Sequence, residues 1–328
     1  MTIRIGTRAS KLALTQTQQT ADRLAAVGGF PVELVHIKTE GDVKTGSLSQ
    51  MGGTGVFVAA LRDALLAETC DVAVHSLKDL PTGAAVGLSI AATPKRVDVR
   101  DVLCARDGLT LAELPGGAKV GTGSPRRAAQ LRAARPDIEV LDIRGNVDTR
   151  LGRVPGLPGN VTDEVVPGKS CDLDAVVLAA AGLERMDRLE TVSEFFETDV
   201  MLPAPGQGAL AIECRTEDAP HVEGPNGVLA QALAALNDDD TRLAVTAERA
   251  VLARLEAGCA APVGAYAFRK GSMLHLEAVV CAVDGTKTVR EKKATDGLTE
   301  VGATLLGIEV AELLLAAGAA EIADLAAS

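Results

Sequence analysis

The hydrophobic pattern of the first two thirds of the chain alternates between short β-branched runs and longer amphipathic stretches. The short runs predict strands, and the stretches with apolar residues at helical spacing predict helices. The predicted strands cover residues 2–6, 32–37, 71–74, 119–121, 138–143 and 175–178, and the clearest helices cover 11–26 and 57–68. This alternation favours α/β layers with mainly parallel sheets.

The last third has a different pattern, which begins near residue 224. Two helices are predicted at 227–237 and 241–257, followed by an antiparallel meander over 264–280 and 287–293 and by long amphipathic helices. We interpret this part as a separate α+β domain. The stretch 202–215 is rich in Pro and Gly before it becomes strand-like, which is typical of a connection that returns to an earlier sheet.

Composition narrows the possible functions. The 328 residues include 33 Lys and Arg against 44 Asp and Glu, a formal charge of −11, and aromatic residues are only 2% of the chain. Non-specific nucleic-acid binding and attachment to anionic membranes are therefore disfavoured. The chain starts without a recognisable secretory signal, and its most apolar stretch, 301–327, carries acidic residues that indicate amphipathic helices.

The six cysteines are far apart and form no CxxC pair, so we expect reduced, buried thiols in the cytoplasm. Cys259 differs because it follows a predicted helix, with Gly258 as the expected helix-ending residue. A helix C-terminus does not favour a thiolate. Two interpretations stay open, a single-use attachment point and a plain buried thiol. The four histidines are scattered, and no metal site is expected.

Several strand-to-helix turns combine a cation with a residue suited to begin a helix. Arg8 and Ser10 follow the first strand, and the GTGSPRR turn (121–127) offers Ser124 as N-cap before Arg126 and Arg127. Free N–H groups at such a turn bind anions, and arginines strengthen the site. Two later turns add further arginines, which are Arg144, Arg150 and Arg185.

Ligands of open α/β sheets bind at the carboxyl ends of strands, so convergence of these turns would create a cationic cleft in an acidic protein. Asp79 lies in the segment HSLKDLPT (75–82), at the same edge as the first turn and beside Lys78. It is either a carboxylate held in the cleft or a residue that braces the turn. His75 is a possible base, although a single His at a strand end is more often structural.

The motifs together resemble the hydroxymethylbilane synthase (porphobilinogen deaminase) family. The matching stretches keep the family's order along nearly the whole chain, and they include IGTRASKLAL, HSLKDLPT, VGTGSPRRAAQL, RGNVDTRL, LPAPGQGALAIECR and AERAVLARLEAGC. The resemblance implies two type II periplasmic-binding-protein-like α/β domains with a cleft between them, plus a C-terminal α+β domain. The implied domains are 1–96 with 203–223, then 97–202, then 224–328.

The resemblance also implies a reaction. Four porphobilinogen units are deaminated and joined on a dipyrromethane cofactor that Cys259 holds covalently, and hydroxymethylbilane and ammonia are released. Asp79 is the implied catalytic carboxylate. Further implied cofactor-binding residues are Lys78, Ser124, Arg126, Arg127 and Arg144, and implied substrate-binding residues are Arg8, Ser10, Thr122, Arg150 and Arg185. The family implies a monomer, and the missing export signal and the scattered cysteines favour the cytoplasm.

Some positions depart from the family pattern. Gln50 and Thr54 replace common lysines near the GGTG turn, which is then expected to act as a lid through its glycines and Phe57. The loop 151–171 is longer than usual, and no function is assigned to it. The main alternative function is a non-catalytic module that binds an anionic ligand, and Cys259 discriminates the two. A nucleic-acid regulator fits less well, because the arginines lie in turns instead of on one basic helix.

Overall fold

The computed structural model describes residues 2–37, 55–158, 171–220, 227–258 and 261–323, with the backbone alone for 55–57. Three β-sheets organise this part of the chain. The first sheet contains five strands in the order β2-β1-β3-β10-β4. Their bounds are β1 Ile3–Thr7, β2 Val32–His36, β3 Val72–Ser76, β4 Leu88–Ala92 and β10 Leu210–Arg215.

The second sheet repeats the same plan with strands in the order β7-β6-β8-β5-β9. Their bounds are β5 Asp101–Ala105, β6 Lys119–Gly121, β7 Glu139–Leu141, β8 Ala175–Ala179 and β9 Glu194–Phe195. In each sheet the fourth strand in this order is antiparallel to both neighbours, β10 in the first and β5 in the second. Each of these two strands directly follows a crossing between the sheets, which is the topology of type II periplasmic-binding-protein domains.

Helices cover these sheets as the sequence pattern predicts. They are α1 Lys11–Gly28, α2 Gly55–Leu66, α3 Pro125–Ala134, α4 Val147–Leu151, α5 Ala180–Arg185 and α6 Val228–Leu236. The apolar side of α1 contributes Ala21 and Leu24 to a core that also contains Ile3 and Ile5. Helix α6 buries Leu229 in the same core, so it packs on the first sheet.

The third sheet is an antiparallel meander of β11 Val263–Lys270, β12 Met273–Cys281 and β13 Thr288–Thr295. Helices α7 Asp239–Arg254, α8 Glu300–Ala316 and α9 Ala319–Ile322 pack on it around one apolar core. The predicted α/β class with a C-terminal α+β part is therefore confirmed. The expected helix end at Gly258 is wrong, because α7 ends at Arg254 and the left-handed residue is Glu256, at φ 52°.

Candidate active site

The first sheet brings two predicted turns to one edge. Strands β1 and β3 are parallel, so the residues that follow them lie side by side. After β1, Ser10 caps α1 and its Oγ accepts the Ala13 N–H at 3.3 Å. After β3, a single 3₁₀ turn, Leu77–Asp79, carries Lys78 and Asp79, and both side chains are partly buried.

The second sheet presents the GTGSPRR turn at its own carboxyl edge. Ser124 caps α3 by accepting the Arg127 N–H at 3.4 Å, and Thr122 Oγ1 accepts the Ser124 N–H at 3.2 Å. The predicted N-cap is confirmed, and Pro125 occupies the first helical position. Gly123 is required here because a Cβ would lie 2.5 Å from the Ile143 carbonyl oxygen.

Arg126 and Arg127 are buried at this turn, with 3% and 6% of each residue exposed. Both guanidinium groups contact the carboxylate of Asp101: Arg126 Nη1 and Arg127 Nη2 each lie 2.7 Å from one of its oxygens. Arg127 also donates from Nε to Asp101 Oδ1 at 2.9 Å. The two arginines therefore form a fixed cationic floor instead of mobile surface charges.

Asp101 was not predicted by the sequence analysis, and it is fully buried. Burial alone would raise the pKa of Asp101, but the charges of Arg126 and Arg127 hold that pKa well below its usual range. Asp101 is therefore a carboxylate ion at neutral pH. The available sequence signal was an acidic residue that opens the otherwise apolar strand DVLCA (101–105).

The other predicted arginines lie around this floor. Arg150 in α4 donates from Nε to the Gly145 carbonyl at 2.8 Å. Burial and the positive charges of Arg127 and Arg144 lower the pKa of Arg150 to about 10, so these guanidinium groups lie close enough to repel one another. Arg144 is exposed, and its Nη2 lies 3.3 Å from Asp142 Oδ2.

Arg185 lies at the end of α5, against the return crossing between the sheets. Its Nη2 donates to the Gly208 carbonyl at 2.9 Å, and burial lowers the pKa of Arg185 to about 10. Arg8 is half-buried at the end of β1.

Lys78 lies between the carboxyl edge of the first sheet and that of the second sheet. Its Nζ lies 3.4 Å from Gln207 Oε1. Burial and the positive charge of Arg127 lower the pKa of Lys78 to about 8, with Asp79 and Asp101 opposing that shift. A lysine of the first sheet is thus near a guanidinium group of the second. The carboxyl edges of the two sheets face one cleft.

The third sheet's helix α7 reaches this region through two adjacent side chains that the sequence analysis missed. Glu248 is fully buried and accepts the Gly206 N–H at 2.7 Å. Arg249 donates to the carbonyls of Leu80 and Pro81 at 2.9 and 2.6 Å. The AERA motif therefore holds both a crossing segment and the turn that carries Asp79. The sequence signal that could have identified Glu248 was an acidic residue on the apolar side of a predicted helix.

Other candidates have simpler positions. His75 is buried, with its Nε2 3.2 Å from Glu213 Oε2, so it braces the first sheet and does not line the cleft. Cys259, Gln50 and Thr54 lie outside the described residues, as do the side chain of Phe57 and most of the 151–171 loop.

The five described cysteines have free thiols. Four are buried, and burial raises their pKa, to about 12 for Cys214 and to about 11 for Cys70, Cys104 and Cys281. Cys171 is exposed, so the expectation of a buried thiol is wrong there. Within the described ranges, no helix has the length and apolar character needed to cross a membrane.

These features define a class of protein: two α/β sheets of repeated topology, with cations from both at a shared cleft, joined to a smaller α+β unit. Among solved structures, a periplasmic substrate-binding protein of an ABC transporter from Coxiella burnetii is similar at a TM-score of 0.42 and 14% identity, covering 71% of this chain and 91% of that one. That score is too low to define the fold, which the strand order defines instead.

Sequence comparison is decisive about the family. The protein-family model described as "Porphobilinogen deaminase, dipyromethane cofactor binding domain" matches residues 3–223. The family model of the porphobilinogen deaminase C-terminal domain matches residues 242–316. A porphobilinogen deaminase from Cutibacterium acnes is 56% identical, with 99% of this chain and 98% of that protein covered. One from Thermobifida fusca is 52% identical, with 99% and 97% covered. The chain belongs to the porphobilinogen deaminase family, whose members are enzymes of tetrapyrrole biosynthesis.

Proposed function

We propose that this chain deaminates porphobilinogen and joins four units head to tail on a dipyrromethane primer, releasing hydroxymethylbilane and ammonia. At each addition the C–N bond of an aminomethyl group breaks and ammonia leaves. A carbon–carbon bond forms at the free α-carbon of the preceding pyrrole, which then loses its proton. After four additions, water cleaves the bond between the primer and the first added unit and supplies the hydroxyl group of hydroxymethylbilane. The observation that carries the proposal is the position of Lys78, which lies beside the partly buried carboxylate Asp79 and interacts electrostatically with Arg126 and Arg127 of the second sheet.

The cation set fits the cofactor's chemistry. Dipyrromethane carries acetate and propionate groups, and guanidinium groups bind carboxylates through two parallel hydrogen bonds. We propose that the cofactor is held by Cys259, Lys78, Ser124, Arg126, Arg127 and Arg144. When bound, it supplies the pyrrole carbon to which the first substrate unit is joined.

Incoming porphobilinogen also has two carboxylates, and we propose that Arg8, Ser10, Thr122, Arg150 and Arg185 bind it. The lowered pKa values of Arg150 and Arg185, both about 10, support this role because burial leaves their charges incompletely solvated. An anionic ligand would relieve the repulsion among Arg127, Arg144 and Arg150.

Asp79 is the proposed catalytic residue. A carboxylate beside the pyrrole N–H groups stabilises the positive charge that develops when the C–N bond breaks, and it accepts or returns a proton. Lys78 lies next to Asp79 on the same 3₁₀ turn, so a cation and the proposed catalytic carboxylate are carried by one element.

We propose three domains, 1–96 with 203–223, 97–202 and 224–328. Among the apolar clusters of the described residues, one large cluster lies on each of the three sheets, which supports this division. Helix α6 packs on the first sheet, so we propose that the core of the third domain begins with α7.

We further propose a cytoplasmic monomer that binds neither membranes nor nucleic acid. Five free thiols suit a reducing compartment, and the formal charge of −11 disfavours a polyanionic backbone. Light scattering on the eluted peak of a size-exclusion column gives the mass in solution, and a value of twice the chain mass would contradict the monomer.

The test of the function is the intact mass of the purified protein. We expect a two-pyrrole adduct that disappears in Cys259→Ala, and Cys171→Ala is the matched control that keeps it. Ehrlich's reagent gives a colour with the wild type and the control only. Porphobilinogen consumption with release of ammonia completes the test.

The alternative is a non-catalytic module that binds an anionic ligand in the same cleft, since one fold supports both. An unmodified, soluble wild-type chain from a host that supplies porphobilinogen would favour that alternative. An adduct together with turnover would exclude it.

A further inference from the structure

A series of polar contacts links the turn after β3 to the first residue of β5 through Gln207, which lies on the return crossing between the sheets. Lys78 Nζ is 3.4 Å from Gln207 Oε1, and Gln207 Nε2 donates to Asp101 Oδ1 at 2.8 Å. The same Asp101 oxygen accepts Arg127 Nε at 2.9 Å. Three cations on two sheets are thus connected through one buried carboxylate and one buried amide.

The sheet topology explains why Asp101 lies at the cleft. Strand β5 runs antiparallel to β8, and Asp101 pairs with Ala179, the last residue of β8. The first residue of an antiparallel strand therefore lies at the edge where the parallel strands end. Gln207 precedes β10, which begins opposite Ser76 at the corresponding edge of the first sheet.

The positive and negative charges around Asp101 are unequal in number. Its single negative charge contacts the guanidinium groups of Arg126 and Arg127, so one positive charge of this trio remains to be matched by a ligand. A second carboxylate at this place would neutralise the floor, and no carboxylate would leave two buried cations repelling each other. One carboxylate fixes both guanidinium groups and keeps the floor cationic.

We propose that Asp101 is a positioning residue for the deaminase reaction: it holds Arg126 and Arg127 at the floor of the cleft and, through Gln207, sets the position of Lys78 beside Asp79. This inference rests on the proposed function. Asp101 itself is fully buried and acts through the cations it holds.

The main variant is Asp101→Asn, which keeps the shape and removes the charge. We expect kcat/KM for porphobilinogen to fall about 100-fold, the loss that a displacement of about 1 Å in binding groups causes. We also expect the alkaline limb of the pH–rate profile to move to lower pH by about 0.5 unit, because a carboxylate near Lys78 favours its ammonium form. The charged groups that act on Lys78 are Asp79, Asp101, Arg126 and Arg127.

A direct readout does not depend on turnover. In ¹⁵N spectra of the wild type, the buried Nε–H of Arg127 should exchange slowly with water, and in Asp101→Asn it should exchange rapidly. Intact mass records whether each variant still carries the two-pyrrole adduct. Asp174→Asn is the matched control, since Asp174 pairs with Arg106 at the opposite edge of the same sheet. It should keep wild-type kcat/KM and the wild-type alkaline limb.

Unchanged kcat/KM together with an unmoved alkaline limb in a folded Asp101→Asn protein would overturn the proposal. If Asp101→Asn does not fold, Gln207→Met tests the proposal instead. This substitution removes the amide that links Asp101 to Lys78 and leaves Arg126 and Arg127 paired with Asp101. A lower kcat/KM with a shifted limb supports the proposal, and wild-type behaviour overturns it. If the wild type itself does not turn over porphobilinogen, the proposed function fails, and the Arg127 exchange measurement still tests the positioning role.

Discussion

The carboxylate of Glu248 lies 2.7 Å from Nη1 of Arg96, and both groups are enclosed by protein. The same carboxylate accepts the N–H groups of Gly206 and Ala267 at 2.7 and 2.9 Å. Arg96 and Gly206 lie on the two opposite crossings between the first two sheets, and Ala267 is on β11. One side chain of α7 therefore joins both crossings to the third sheet.

Removal of this carboxylate should be costly. Glu248→Ala leaves the Arg96 charge and two N–H groups without their partner, so we expect the free energy of unfolding to fall by about 3–5 kcal/mol. Urea denaturation measures it. Glu312→Ala is the control, because Glu312 forms an exposed pair with Arg254 on neighbouring helices and should cost about 0–1 kcal/mol. Equal losses in the two variants would contradict this role.

Asp79→Asn should nearly abolish turnover while the adduct stays attached, because the amide keeps the shape but cannot offset positive charge or take up a proton. Porphobilinogen consumption and intact mass together check this. Asp22→Asn, on the exposed side of α1, is expected to retain full activity. Full activity in Asp79→Asn would exclude Asp79 as the catalytic residue.

Activity should fall as the pH rises through about 8. Burial and Arg127 lower the pKa of Lys78 to that value, so its ammonium loses a proton there and attracts anionic ligands less. The substitution Lys78→Arg keeps the charge at all these pH values, and it should move the alkaline limb upward even where kcat itself is reduced. A pH–rate series from pH 6 to 10 measures the alkaline limb in the wild type and in the variant. If the limb lies at the same pH in both proteins, a group other than Lys78 causes it.

The Asp71 carboxylate should add stability that disappears in acid. Burial alone would raise the pKa of Asp71, but hydrogen bonds from the Arg4 side chain and backbone hold it below the usual value. A carboxyl group with a depressed folded-state pKa stabilises the protein above its unfolded pKa of about 3.9, and this contribution is lost as the pH falls through the folded pKa.

We therefore expect Asp71→Asn to lower the free energy of unfolding by about 1–3 kcal/mol at pH 7, with the difference from the wild type shrinking below about pH 4. Urea denaturation across this pH range tests the sign. A difference that grows in acid would be inconsistent with the ion pair.

The sequence by itself determined the class of fold and most of the elements. Local sequence signals were enough where a residue type strongly favours one backbone position. Examples are Ser124 and Pro125 at the start of α3 and the glycines of PGQGA. Gly206 and Gly208 adopt φ of 78° and 85°, which only glycine takes at little cost. The strand-to-helix turns indicated the candidate arginines and Asp79, and the family motifs implied their roles.

Only the tertiary structure decided which of those cations are held and by what. The sequence indicated Arg126 and Arg127 as ligand-binding residues, and the structure adds that both are held by Asp101, 25 or more positions earlier in the chain. Gln207 and Glu248 likewise act across long separations. The physical reason is that β5 and β10, the antiparallel strands that follow the crossings, bring residues that are distant in the chain to the cleft edge. A buried charge must be paired with an opposite charge that is close in space, whatever their separation in the sequence.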